Sequence, residues 1–162
     1  MGTRLDYLFQ EWAQLGGEVL LANTDKTVAP RSPEEVIAES TAHCRESGRL
    51  TWVTLAWLVR HIEQIDERKL LAHTQRIGDL SVLGLLCDAA RERNPHETFG
   101  RVLRECKPHM PTEIFFHRVA RSPLASQIAR DNALEIFRRW GYVSNELRYW
   151  RDGNSVTAER SI

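Results

Sequence analysis

Histidine is the residue type in this chain that is best suited to acid–base chemistry or metal binding near neutral pH. The chain contains six, at His43, His61, His73, His96, His109 and His117. A zinc site on a helix needs two histidines three or four residues apart with a carboxylate nearby, whereas no two of these histidines are closer than eight residues. We therefore expect no metal site and no cofactor, with the histidines at the surface or partly packed.

A second arrangement that could support chemistry is an arginine followed on the same helix by a histidine, the spacing found in HEPN-type helical ribonucleases. In that arrangement the imidazole transfers a proton and the guanidinium stabilises phosphate charge. The chain has three such pairs: Arg68 with His73, Arg91 with His96, and Arg104 with His109. Pro95 and Pro108 separate the last two histidines from the helices that carry their arginines. Only Arg68 and His73 can share a helix, and a HEPN-like ribonuclease is kept as a further alternative.

The sequence contains no recognisable motif for nucleophilic catalysis or for nucleotide binding. There is no GxSxG sequence, and Gly16-Gly17 lacks the lysine of a phosphate-binding loop. Three cysteines occur without a CxxC pair, at Cys44, Cys87 and Cys106. An odd number of widely spaced cysteines predicts free thiols that pack as small apolar side chains in a reducing compartment. We expect a cytoplasmic protein that is not an enzyme.

The C-terminal third interleaves arginines with aromatic residues. Trp, Tyr and Arg are the residue types that dominate protein–protein interfaces. We predict an interaction surface formed by Arg138, Arg139, Trp140, Tyr149 and Trp150. The sequence favours a protein partner, and we interpret the chain as a protein-interaction module, either an adaptor or an antitoxin-like neutralising protein.

The charge balance favours a protein partner over a nucleic-acid partner. Basic and acidic residues both number 22, so no overall positive field attracts phosphate. The charges are uneven, however, since residues 1–66 carry six basic and ten acidic side chains and residues 101–151 carry ten basic and five acidic ones. A DNA-binding regulator that uses the helix near residues 134–140 remains the first alternative. Only three of the 22 cations are lysines, a usage typical of GC-rich bacterial genomes.

The elements that hold these residues are predicted to be helices around one apolar segment. Between Trp52 and Val59 only Thr54 interrupts the apolar residues of the segment 50–65. A helix that is apolar on nearly every side belongs in a core, and this apolar part is about half of the ~20 residues that a membrane span requires. We predict a central core helix, enclosed on every side, and no membrane association.

Helix start and stop residues divide the rest of the chain. Thr3 and Ser32-Pro33 precede helices 1 and 2, and Asp66 and Asp79 precede two helices after the central one. Helix 2 has a thin apolar face and is expected to pack shallowly. Further helices are predicted around residues 99–106, 114–119 and 124–140. The fold is predicted to be all-α, either a compact bundle of seven to eight helices or a short HEAT-like stack of helical hairpins.

The chain end is the least regular part of the prediction. We predict one helical domain over residues 1–151 and a loose tail over residues 152–162, which has few apolar residues with which to dock. Residues 141–150 fit either a short helix capped by Ser144 or an extended segment. No run of alternating residues indicates a secure strand.

Overall fold

A computed structural model describes residues 3–17, 31–116 and 134–144. Within these ranges the chain is mostly helical. The α-helices are α1 Arg4–Gln14, α2 Pro33–His43, α3 Gly48–His61, α4 Glu67–Ile77, α5 Leu80–Arg93, α6 Glu97–Leu103 and α7 Glu135–Arg139. Two short strands, β1 Glu113–Ile114 and β2 Tyr142–Val143, pair in parallel. The all-α prediction is confirmed.

The helices begin where the capping residues predict. The Thr3 side chain accepts from the Asp6 amide while Asp6 reaches back to the Thr3 amide, a complete capping box at α1. Ser32 caps α2 with a proline at the first helical position. Asp66 and Asp79 each accept two backbone N–H bonds at the starts of α4 and α5. Each side chain satisfies amides that a helix start leaves without an intrahelical partner.

Helix α5, and not α3, lies at the centre of the fold. Every residue from Ser81 to Ala90 is buried, and α5 contacts α2, α3, α4, α6 and α7. In α3, Trp57 is 2 % exposed, but Trp52 and Val59 are only partly covered. The expectation that α3 is enclosed on every side is therefore wrong. One helix in contact with five others around a shared core makes the fold a bundle, because a solenoid repeat contacts only its neighbours.

Helix α2 packs more deeply than its thin apolar face suggests. Val36, Ile37 and Ala38 are fully buried, and Ser40 is buried beside them. The Ser40 hydroxyl accepts a hydrogen bond from the Trp12 indole at 3.0 Å, so this polar side chain can be buried without loss of a partner. The prediction of shallow packing is wrong, because it treated small and hydroxyl side chains as surface residues.

Glu113–Ile114, after Pro111, form a strand, and residues 114–116 are not helical where the sequence predicted a helix around residues 114–119. Residues 117–119 lie outside the described residues. Ile114 lies opposite Val143 in the pair of strands. The Arg45 guanidinium fixes the turn that follows, since it donates to the carbonyls of Ile114 at 2.8 Å and Phe115 at 3.2 Å. Part of the residue 141–150 segment is therefore extended, at Tyr142–Val143.

The remaining sequence predictions lie outside the described residues. They concern residues 124–133 of the helix predicted around 124–140, and the chain from residue 145 onward, including the tail 152–162. Tyr149 and Trp150 belong to the last of these ranges.

Candidate interaction site

Asp88, near the C-terminal end of α5, holds the C-terminal segment against the core. Its side chain is 4 % exposed and accepts three hydrogen bonds. Oδ1 takes the Nε–H of Arg91 at 3.0 Å, and Oδ2 takes Nη1–H of Arg139 and Nε1–H of Trp140, both at 2.9 Å. A buried carboxylate is tolerated only when such partners replace its water. Asp88 therefore fixes α7 and the residue after it onto α5.

Trp140 lies in the core, which differs from its predicted place on an interaction surface. Its side chain lies over Gly84, and a Cβ at that glycine would be closer than 3.0 Å to three atoms of the indole six-membered ring. The residue is only 8 % exposed. Because the glycine leaves a slot on α5 and Asp88 binds the indole N–H, this ring is buried between α5 and α7 and is not available to a partner.

Ser81 lies on the same face of α5 as Gly84 and Asp88, and it contacts β2. The Ser81 hydroxyl lies 2.6 Å from the Tyr142 hydroxyl and 2.6 Å from Oδ1 of Asp79. Burial raises the pKa of Tyr142 to about 12. On its ring faces Tyr142 contacts the Arg45 guanidinium, at 4.9 Å, and the His109 imidazole, at 5.1 Å. These groups hold β2 on the core and leave the fully buried phenol no access to a substrate.

Between α3, α5 and α7 the surface forms a cleft of about 210 Å³. Its apolar part comes from Leu55 of α3, Ala89 of α5, and Leu134 and Ile136 at the start of α7. Its charged part comes from Glu92, Arg93, Glu135 and Arg139. The lining therefore combines four apolar side chains, which we call the floor, with four charged side chains of both signs, which we call the rim; protein interfaces likewise combine an apolar core with a polar rim.

The four charged side chains at the rim of the cleft differ in whether they are bonded to the rest of the protein. Arg139 is bonded to Asp88, whereas within the described residues the side chains of Glu92, Arg93 and Glu135 have no hydrogen bond or ion pair. Three of the four rim charges are therefore available to a bound molecule. We define the cleft floor and this rim together as the α5–α7 cleft.

Of the predicted interaction residues, the structure brings only Arg139 to the α5–α7 cleft. Arg138 is exposed on α7, Trp140 lies beneath the cleft, and Tyr149 and Trp150 lie outside the described residues. The helix predicted near residues 134–140 is the short α7, whose Phe137 is fully buried. Sequence reasoning missed Asp88 and Gly84, although Ser81, Gly84 and Asp88 fall at i, i+3 and i+7 along one helix face.

Each histidine of the three arginine–histidine pairs has a local partner other than its arginine. His73 Nδ1 accepts from Arg76 at 2.8 Å. His96 caps α6 by accepting from the Thr98 amide, and His109 Nδ1 donates to the Pro111 carbonyl at 2.7 Å. Within the described part of the chain, none of these imidazoles is hydrogen-bonded to the arginine five residues before it.

The other candidate groups for chemistry are also buried or dispersed. All three cysteines are free and buried, and burial raises the pKa of the Cys44 and Cys106 thiols to about 12. Within the described ranges, no three His, Cys, Asp or Glu side chains are placed to hold a metal ion. None of the helices in those ranges has the length and apolar character that crossing a membrane requires.

Comparison with known proteins adds no relative. No protein-family model matches the chain, and no characterised protein sequence or solved structure is significantly similar to it.

Proposed function

We propose that this protein works by binding another protein, which places one apolar side chain into the α5–α7 cleft. The size of the cleft supports a side chain over a small molecule. At about 210 Å³ it is smaller than the ~300–1,000 Å³ typical of small-molecule and cofactor sites. A pocket that accepts a single anchor is a recurrent centre of protein–protein interfaces.

The arrangement of charge supports the same proposal. Arginine is one of the residues enriched at interface hot spots, and Arg139 stands at the rim with one nitrogen already bound by Asp88. The unpaired rim charges, Glu92 and Glu135 with Arg93, favour a partner that carries both a cation and a carboxylate beside its apolar anchor. Such pairs set the orientation and the association rate more than the affinity.

The function that fits this site is a non-enzymatic one, an adaptor or an antitoxin-like neutralising protein. The polar side chains of Tyr142 and His109 hold β2 and the turn before β1. This leaves the surface, and above all the α5–α7 cleft, as the functional part of the described chain.

A photo-crosslinking experiment tests this proposal. A photoreactive residue replaces Glu135 at the rim, or Gln14 on the exposed side of α1 as a control, and the protein is irradiated in cells of its native host. We expect a protein that is captured from position 135 and not from position 14. Capture of the same proteins from both positions would contradict the proposal.

The captured partner, once purified, is titrated with the variant Ile136→Glu. Ile136 is partly exposed in the cleft floor, so a carboxylate there should leave the fold intact and lower the affinity at least tenfold, about 1.4 kcal/mol. The matched control is Arg138→Gln, which alters the charge on α7 outside the cleft. Unchanged binding by Ile136→Glu, with an unchanged melting temperature, would show that the cleft is not the binding site.

A further inference from the structure

The outward face of α4 carries cations at both of its ends. Its exposed residues are Arg68, Lys69, Ala72, Gln75 and Arg76. Within the described residues the side chains of Arg68 and Lys69 have no hydrogen bond or ion pair, and Arg76 is oriented by His73. This face, which we call the α4 basic face, therefore presents three positive charges around the small side chain of Ala72.

The neighbouring acidic groups are engaged elsewhere. Asp66 caps the start of α4 by accepting from the amides of Arg68 and Lys69. Both oxygens of Glu67 accept from Nε–H of Arg101 on α6, at 2.8 and 2.9 Å. Neither carboxylate forms a hydrogen bond or an ion pair with a side chain of the α4 basic face.

The position of two of these cations is unfavourable for the helix itself. Arg68 and Lys69 occupy the first turn of α4, where the positive end of the helix dipole repels cations by about 0.3–1 kcal/mol each. Residues that are unfavourable at their position in a helix, and that bring no gain in stability, are expected mainly at functional sites. This observation points to a function for the two side chains outside the fold.

We propose that the α4 basic face binds the phosphate backbone of duplex DNA. Arg76 lies eight positions after Arg68, which is about 12 Å along the helix axis at the rise of an α-helix. The major groove of B-DNA is also about 12 Å wide. Arg68 and Lys69 contact one strand, Arg76 contacts the other, and the small Ala72 lets the helix approach between them.

The same face does not suit single-stranded nucleic acid. Binding of single strands relies on aromatic side chains that stack on bases. The large exposed hydrophobic side chains among the described residues are Tyr7 and Met110, on α1 and in the loop before β1, and none lies on α4. Duplex RNA is excluded by shape, because its major groove is too narrow and deep for side chains to enter.

Fluorescence anisotropy with a labelled 20-base-pair duplex of random sequence tests this proposal. With an evenly charged protein and three phosphate contacts we expect weak binding, with a Kd of about 10⁻⁴–10⁻⁶ M at physiological salt. Between 50 and 200 mM salt, log K should fall against log salt with a slope of about −2.7, since each neutralised phosphate contributes about −0.9.

Variants that lack one or two cations of the α4 basic face distinguish binding by this face from an effect of the overall charge of the protein. Arg68→Gln with Lys69→Gln should reduce the slope to about −0.9, and Arg76→Gln alone should reduce it to about −1.8. The matched control is Arg104→Gln with Lys107→Gln, which removes two exposed cations that lie outside the α5–α7 cleft and have no side-chain partner within the described residues. The control is expected to bind like the wild type, as is the cleft variant Ile136→Glu, which keeps this result separate from the proposed protein partner.

Four results would overturn the proposal. These are no saturable binding at 50 mM salt, an equal loss of binding in the control variant, equal affinity for duplex RNA, and equal affinity for a poly-glutamate peptide. The last result would assign the α4 basic face to an acidic protein instead. The melting temperatures of Arg76→Gln and of the two-cation control are expected to match the wild type, because the changed side chains are exposed. That of Arg68→Gln with Lys69→Gln is expected to be equal or higher, because two cations are removed from the positive end of the helix dipole.

Discussion

Replacement of Gly84 by alanine tests whether the Trp140 ring packs closely on α5 at this glycine. At an open helical position this change stabilises a helix by about 1 kcal/mol. Here the added methyl group would lie closer than 3.0 Å to three atoms of the Trp140 ring. Overfilling of a packed core costs about 1–3 kcal/mol, so the steric cost outweighs the gain in helix propensity.

The Trp140 ring has no low-cost way to move. A shift away from α5 stretches or breaks the 2.9 Å bond from its Nε1–H to Asp88, and an unpaired buried donor costs about 1–3 kcal/mol. After subtraction of the ~1 kcal/mol of helix propensity, the two costs together lead us to expect that Gly84→Ala lowers the free energy of unfolding by about 1–5 kcal/mol. For a chain of this size each kcal/mol corresponds to about 2–4 °C in Tm.

Gly100 in α6 provides the matched control. A Cβ there meets no atom within 4 Å, so Gly100→Ala should raise the free energy of unfolding by about 0.5–1 kcal/mol. Both variants are measured by thermal unfolding followed by circular dichroism, with tryptophan fluorescence as a second probe. Both variants replace a helical glycine by alanine, so they differ only in what the added methyl group meets. We therefore expect Gly84→Ala to lower the free energy of unfolding and Gly100→Ala to raise it. If Gly84→Ala is as stable as Gly100→Ala, Trp140 does not pack on Gly84.

A double variant isolates the contact between the two residues. In a Trp140→Phe background the smaller ring leaves room for the methyl group, so Gly84→Ala should cost less than in the wild type. We expect a coupling free energy within the 0.5–3 kcal/mol range of contacting residues. Additive effects in the double variant would show that the two sites do not touch.

Three further predictions follow from buried groups. Trp57→Ala should cost about 3–5 kcal/mol, measured by urea unfolding, because the ring packs on Trp12 at a centroid distance of 5.6 Å; an unchanged midpoint would contradict its burial. Since burial raises the pKa of Tyr142 to about 12, the folded state keeps a proton that the unfolded chain releases near pH 10. Stability should therefore hold below about pH 10 and fall between pH 10 and 12, less steeply in Tyr142→Phe. Because burial also raises the pKa of all three buried cysteine thiols, a disulfide reagent at pH 8 should label them only after unfolding; rapid labelling of the native protein would refute this.

Sequence reasoning located the first six helices of the described chain because their ends are encoded locally. Thr3, Ser32, Asp66 and Asp79 cap helices with their own side chains, and the effect extends over three residues at most. Such features require no knowledge of the rest of the fold. For the same reason the proline at position 33 gave a correct helix start.

Sequence reasoning did not predict which helix would be central. The apolar run in α3 indicated a core helix, but α5 is more fully buried although Ser81, Gly84 and Asp88 interrupt its apolar residues. These three positions are buried because Tyr142, Trp140 and Arg139 cover them from a segment more than 50 residues away along the chain. A small or polar residue on a core helix can be interpreted as a docking position only once the partner segment is known.

The strand after Pro111 was missed for a related reason. Phe115 and Phe116 suit a helix or a strand equally well, and β1 contains only two residues. Its conformation depends on β2 and on the Arg45 guanidinium that donates to the carbonyls of Ile114 and Phe115. Short strands are set by such partners and not by their own residue preferences.

The candidate cleft is coupled to the core through Asp88. This carboxylate binds Trp140 below the surface and Arg139 at the rim through the same oxygen, each at 2.9 Å. The rim cation is therefore held in one position before any partner arrives, which lowers the entropy lost by an arginine on binding. Replacement of Asp88 would release both residues together, so its effect on binding would combine a loosened α7 with a mobile guanidinium. A cleft variant such as Ile136→Glu is the better test of function, because it changes what a partner meets and leaves the Asp88 contacts intact.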